Sequence, residues 1–194
     1  MNDNGLMQRV QAGAHQRFDE LVNRYRSVLL RVAESKLGDA SRAEDVVQET
    51  FLAVFAARQS FNPDMSFRAW IWTILLNLCR RDIKRRAVSL PSVTSDSIDQ
   101  THTEHAGFAP GSTVLKEILV AEQNQQLHQW LQLLPETQAD ALRLRFFAGL
   151  KFQEIAQAMS CSLNGAKMRV KNGLVKLSAM AQQYQPLDSE GDIR

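Results

Sequence analysis

The residues whose types and spacing could do chemistry are concentrated between Ser66 and Arg86, in SFRAWIWTILLNLCRRDIKRR. Thr73, Asn77, Arg80 and Lys84 follow one another at i, i+4, i+7 and i+11, which places them on one side of a helix. That side grades from hydrogen-bonding groups to fixed positive charge. Asn77 can both donate and accept. Arg80, Arg81, Lys84, Arg85 and Arg86 offer a block of cations suited to phosphates. The same block complements the negative end of its own helix dipole. This helix alone therefore leaves two readings open, a solvated basic end and a nucleic-acid contact.

Other chemistry finds little support. The sequence holds no nucleophile–base pair, no phosphate-binding glycine loop and no carboxylate pair, so no catalysis is expected. Cys79 and Cys161 lie far apart without ligand spacing, which reads as two free thiols in a reduced, cytoplasmic setting. His15, His102, His105 and His128 make no metal pattern, and no cofactor is expected. The N-terminus is polar and lacks an apolar h-region, so no signal peptide is expected. No apolar run approaches the length of a membrane span, so no membrane insertion is expected either.

The elements that must position the basic helix read as an all-α chain. Ser66 stands at an N-cap position, and Phe67, Trp70, Ile71, Ile74, Leu75 and Leu78 form the apolar stripe of that helix. Trp70 lies on the stripe and reads as core, whereas Trp72 lies off it and is unassigned. Residues 1–13 read as frayed. From His15 to Leu37 the apolar residues keep helical spacing, and Gly38–Asp39 ends the segment. Ser41 with Glu44 reads as a capping box opening a second helix, whose inner side is Val46, Val47, Thr50, Phe51, Val54 and Phe55. On its other side Asp45, Gln48 and Glu49 cluster. Asn62-Pro63-Asp64 marks a turn before the basic helix. The first unit is thus expected to be a three-helix bundle over residues 1–90.

Charge and texture then change. Residues 1–90 carry 14 Lys/Arg against 10 Asp/Glu, residues 91–122 carry 1 against 5, and residues 123–183 carry 7 against 3. Two basic blocks around an acidic stretch suggest two units sharing a polyanionic partner. Residues 91–114, rich in Ser, Thr, Asp, Pro and Gly, read as a flexible acidic linker. A second unit is expected over 115–183, followed by an acidic tail, 184–194. In it, apolar spacing runs from Leu115 to Leu134 and stops at Pro135. Helices are then expected over 136–148, Phe152–Met159 and Leu163–Gln182. Ala156 is the fifth residue of the Phe152–Met159 segment. The turn starts four residues later at Ser160, and the small Ala166 follows six beyond. That pattern describes a helix-turn-helix, with Lys167, Arg169, Lys171 and Lys176 near the exposed side of its second helix. Ser160 stands where glycine is common, and Gly173 lowers the propensity of the second helix by about 1 kcal/mol relative to alanine.

Taken together, FDELVNRYRSVLLRVA, AEDVVQETFLAVF and SFRAWIWTILLNLCRRDIKRR resemble, in order and spacing, the sigma-two domain of the extracytoplasmic-function (ECF) sigma factors of bacterial RNA polymerase. LPETQADALRLRFFAGLKFQEIAQAMSCSLNGAKMRV is similar to the sigma-four domain of the same family. The resemblance implies two small helical domains, without catalysis, that direct promoter-specific transcription initiation. It implies that Asp45, Gln48 and Glu49 dock on the clamp of core polymerase, with a further contact to the polymerase flap. It implies that Phe61, Asn62, Asp64 and Ser66, together with Asn77, Arg80, Arg81 and Lys84, read and melt the −10 promoter element. It also implies that Arg145, Lys167, Met168, Arg169, Lys171 and Asn172 meet the −35 duplex, although Met168 and Asn172 depart from the family's frequent serine and arginine. A regulating anti-sigma factor is a further partner it implies. A stand-alone helix-turn-helix regulator would leave the first basic unit unexplained. A serine recombinase would need an α/β catalytic domain where this chain is helical.

Overall fold

The fold begins with a helix the sequence reading does not expect. The computed structural model describes residues 2–89 and 125–183, and within them α1 spans Asp3–Gln11. The Asn2 side chain caps it by accepting from the Gly5 amide at 2.8 Å. Leu6, Met7 and Val10 are 0% exposed, so three apolar residues on one face hold an otherwise polar, nine-residue helix in place. Asp3 adds polar ties to Arg24 at 2.8 Å and to the Tyr25 hydroxyl at 2.5 Å.

A short 3₁₀ turn, His15–Arg17, leads into α2, Phe18–Leu37. Gly38 ends α2 at φ +68°, a left-handed conformation that glycine adopts without steric penalty. α3 spans Ala40–Ala56. Its cap is Asp39, which accepts the Arg42 amide at 2.9 Å, and not Ser41 as the capping-box pattern suggested. α4 runs Phe67–Ser89, and Ser66 Oγ accepts from the Ala69 amide at 3.4 Å at its start. The first unit is therefore four helices rather than three.

In the second unit residues 125–133 are helical (α5). α6, Glu136–Leu142, widens into a π turn over Arg143–Phe147 that closes at Gly149, φ +65°. α7 spans Phe152–Ala158 and α8 spans Leu163–Gln183. The expected linker 91–114, the tail 184–194 and the first part of the Leu115–Leu134 stripe lie outside the described residues.

α4 sits at the centre. Phe67, Ile71 and Leu75 are buried as expected, but so are Trp72, Leu76 and Cys79, at i, i+4 and i+7 on another side. A helix that is apolar on two sides must be covered on both. α2 and α3 of the first unit cover one side, and α7 of the second lies on another. Trp72, unassigned from sequence, is 1% exposed and belongs to the core.

Candidate nucleic-acid interfaces

The helix-turn-helix is built from two small-residue contacts and one strained residue. Ala156 and Ala166 are buried where α7 and α8 cross. The Cys161 amide donates to the Ala156 carbonyl at 2.9 Å and the Ser160 amide to the Gln157 carbonyl at 3.2 Å, the paired bonds of a Schellman ending. Ser160 sits at φ +49° in this ending, the only non-glycine with positive φ among the described residues. Gly173, which looked like a propensity defect, is a contact: a Cβ there would lie 2.8 Å from Leu142 Cδ1 and 3.1 Å from its Cγ. Only glycine lets α8 approach α6 this closely. With Ala166, Val170 and Gly173 turned inward, the opposite side of α8 presents Lys167, Met168, Lys171 and Asn172 to solvent, while Arg169 is half-buried. Arg145 is also half-buried, donating to the Leu150 carbonyl at 2.8 Å with its guanidinium 4.9 Å from the Phe152 ring centroid.

The second surface is the 61–66 loop with the basic end of α4. The turn expected at Asn62-Pro63-Asp64 is present: Asn62 Oδ1 accepts the Asp64 amide at 2.9 Å, and its carbonyl accepts Met65 N at 3.0 Å. Asn62, Pro63, Asp64 and Met65 are exposed and Ser66 is half-buried. Phe61 corrects the expectation. It is 3% exposed, with its ring 5.8 Å from Phe67 and 5.2 Å from the half-buried Trp70, so it is a core anchor of the loop and offers no surface to a ligand. Asn77, Arg81 and Lys84 are exposed.

The third surface is α3. Asp45 and Gln48 are exposed, and Glu49 pairs with Arg81 of α4. Beside them runs a mostly apolar groove of about 450 Å³ lined by Phe18, Val22, Leu30, Val47, Phe51 and Phe55. Polar groups along an apolar groove suit an amphipathic helical partner.

Two family models match this chain, Sigma-70 region 2 over residues 21–88 and Sigma-70 region 4 over residues 124–177. The RNA polymerase sigma-H factor of Pseudomonas aeruginosa is 32% identical over 175 residues, covering 87% of this chain and 88% of the relative. The chain belongs to the ECF sigma factors. The ECF RNA polymerase sigma-E factor of Escherichia coli K12 is 28% identical over 171 residues, 88% of this sigma factor and 89% of the relative. Among solved structures, CnrH in complex with the cytosolic domain of CnrY superposes with a TM-score of 0.70 at 24% identity, covering 94% of this chain and 99% of that one. The sigma factor RpoE of Bartonella quintana, in complex with the anti-sigma factor NepR, gives 0.65 at 21% over 87% and 98%. Both likenesses are of fold.

Within this sigma factor two members of the α4 stripe, Thr73 and Arg80, are engaged by the second unit, while Asn77 and Lys84 stay exposed. Thr73 Oγ1 lies 3.2 Å from the Ala158 carbonyl of α7, to which it donates. Arg80 reaches Glu136 at 3.1 Å and Asp140 at 3.2 Å, both in α6. These acids also hold Lys36 of α2, 3% exposed, whose ammonium lies 2.8 Å from Glu136 and 2.8 Å from Asp140. Asp140 is itself 0% exposed, and the buried Arg143 donates to the Ser35 hydroxyl at 3.0 Å and carbonyl at 2.9 Å. The Lys36 hydrogen bond, against burial, holds the Glu136 carboxyl below its usual range. Burial pushes the Cys79 thiol beside this cluster up to about 12, so it stays protonated. Sequence reasoning missed the cluster because its partners lie about a hundred residues apart and no local spacing connects them. Among the described residues no group of His, Cys, Asp or Glu could hold a metal ion, and no helix is long and apolar enough to cross a membrane.

Proposed function

We propose a division of labour in which each of the three surfaces of this sigma factor meets one partner element. The α3 side, with Asp45, Gln48 and Glu49 beside its apolar groove, docks on the polymerase clamp. The 61–66 loop, through Asn62, Asp64 and Ser66, captures a base of the melted −10 element, while Asn77, Arg80, Arg81 and Lys84 hold the strand. Taking a base from the stack costs a few kcal/mol, offset by edge hydrogen bonds and stacking in the loop. α8 enters the major groove of the −35 duplex, where lysine can reach guanine and asparagine can pair with adenine. Residues 1–90 then serve core binding and the −10 element, and residues 115–183 serve the −35 element and the flap. Arg80 takes part in −10 contacts only after exchanging Glu136 and Asp140 for phosphate. The protein acts in the cytoplasm, without chemistry of its own, and an anti-sigma factor is its regulator, a reading supported by the fold neighbour solved in complex with the anti-sigma factor NepR.

One observation carries this reading: α8 buries Ala166, Val170 and Gly173 while leaving Lys167, Met168, Lys171 and Asn172 free along a single side. Run-off transcription with purified core polymerase on a genomic promoter library tests it. Initiation confined to promoters that share −35 and −10 sequences is the expected result, and transcripts no different from core alone would refute it. Lys167→Ala and Lys171→Ala should each lose about 1–3 kcal/mol of −35 binding in a sequence-dependent manner. An equal loss on every −35 variant would reduce both lysines to phosphate contacts.

A further inference from the structure

Two carboxamides of α1, Asn4 and Gln11, are turned onto the 61–66 loop and its flanks. Asn4 Nδ2 donates to the carbonyls of Pro63 at 2.9 Å and Met65 at 2.7 Å, and Asn4 Oδ1 accepts the Phe67 amide at 2.8 Å. One amide thus spans the second half of the loop and the first residue of α4. Seven residues on, at the far end of α1, Gln11 Nε2 donates to the carbonyls of Arg58 and Phe61, both at 2.9 Å, and Gln59 Nε2 returns a bond to the Gln11 carbonyl at 3.1 Å. Both ends of the loop are therefore fixed to one short helix. That helix is itself fixed by Leu6, Met7 and Val10 in the core and by the Asp3 ties to Arg24 and Tyr25. Carboxamides suit the task because each presents two donors and an acceptor in one plane. The loop's backbone is engaged, while Asn62, Asp64 and Met65 are exposed, with Asn62 Oδ1 accepting the Asp64 amide.

We propose that α1 positions the loop for −10 capture, with Asn4 and Gln11 as positioning residues that do not touch DNA. This rests on the loop assignment made above. A loop that must be ordered when a base enters binds that base more weakly than one already held in shape. The two carboxamides supply that order before DNA arrives, and the α1 helix lies ahead of the part of the chain that matches Sigma-70 region 2.

The test uses the full chain, free and bound to core polymerase, with Asn4→Ala and Gln11→Ala. Three quantities are read: amide exchange over residues 61–66, affinity of the holoenzyme for single-stranded −10 oligonucleotides varied one base at a time, and binding of a −35 duplex. Expected are faster exchange in 61–66, about tenfold weaker single-strand binding with flattened preference at the captured base, and −35 and core binding within about twofold of wild type. If Asn4→Ala lowers the melting temperature enough to obscure the reading, Gln11→Ala at the other end of the loop decides. Unchanged exchange in 61–66 overturns the proposal. So does a uniform loss of core, −35 and −10 binding without change in base preference, since that marks a merely structural helix. Direct loop variants, Asn62→Ala and Asp64→Ala, separate the two readings. If they weaken single-strand binding while Asn4→Ala and Gln11→Ala do not, the clamp is wrong and the loop assignment stands. If they too bind normally, the loop assignment itself fails and takes the clamp with it.

Discussion

Replacing Asp140 by alanine removes the acceptor at the centre of the contact between the two units, and its effect can be worked out from the structure. Asp140 takes the Lys36 ammonium at 2.8 and 3.0 Å, with side chains 0% and 3% exposed. It also accepts from Arg80 at 3.2 Å and Arg143 at 3.4 Å. Breaking a buried pair by deleting one partner costs about 3–5 kcal/mol, because the other charge stays buried and uncompensated. Lys36 keeps Glu136, whose side chain is 52% exposed and therefore a weaker partner, and Arg143 keeps Ser35. The lower end, about 3 kcal/mol, is the expected cost. With a urea slope near ~2 kcal/mol/M for a protein of this size, the unfolding midpoint should fall by about 1.5 M. Adding Lys36→Met removes the stranded ammonium and should restore about 1–2 kcal/mol, so the double-mutant cycle has a non-zero coupling. Urea unfolding followed by circular dichroism on the four proteins measures it. Costs that simply add, with coupling below about 0.5 kcal/mol, would refute the claim that this pair joins the units.

Three further outcomes are expected. Gly173→Ala gains helix propensity but drives a Cβ to 2.8 Å from Leu142. A net destabilisation of about 1 kcal/mol should appear in thermal melting, and a rise in melting temperature would contradict the close crossing of α6 and α8. Ser160→Gly relieves a left-handed serine at φ +49° and should stabilise the protein by about 1 kcal/mol, checked by the same melts. Burial pushes the Asp82 carboxyl up, but the Arg42 hydrogen bond and charge, joined by Arg85, outweigh it and hold the group below its usual range. The stability this contributes is complete above the unfolded carboxylate value and is lost as pH falls through the depressed folded one. Asp82→Asn should therefore flatten the acid-side fall in melting temperature, and an unaltered slope would show that other groups govern it.

What could be read from the sequence was whatever repeats within one helix. α2, α3 and the helix-turn-helix follow from apolar spacing and from Gly38 and Gly149, because each buries one stripe against near neighbours. α1 escaped because Leu6, Met7 and Val10 are too few to set a period, and its order comes from distant partners. The second apolar side of α4 escaped because Trp72, Leu76 and Cys79 blur the first stripe, and with it the contacts that Thr73 and Arg80 make to the second unit. Phe61 was assigned to the DNA-facing loop by the family resemblance, which matches positions and not burial, yet a ring beside Phe67 and Trp70 is drawn inward. Of the candidate sites, the lysines of α8 could be placed from sequence because a helix-turn-helix fixes which side is free. The partners of Arg80 could not be, since they come from the other unit.

The two-sided burial of α4 also bears on what chain connectivity does here. Trp72, Leu76 and Cys79 are hidden without exposed surface beyond 1%, and Thr73 and Arg80 bond outward to α7 and α6. Units joined in this way do not depend on a covalent link for their geometry. The link sets only the effective concentration of one for the other. A chain cut between Ser89 and Gln125 should accordingly migrate as a single non-covalent particle. Two promoter elements about 25 base pairs apart, ~85 Å along the duplex at 3.4 Å per pair, ask the opposite of the same contact. If, as proposed above, each half reads one element, reaching both at once requires the halves to exchange their grip on each other for a grip on polymerase and DNA. The apolar side of α4 then marks how firmly those new partners must hold.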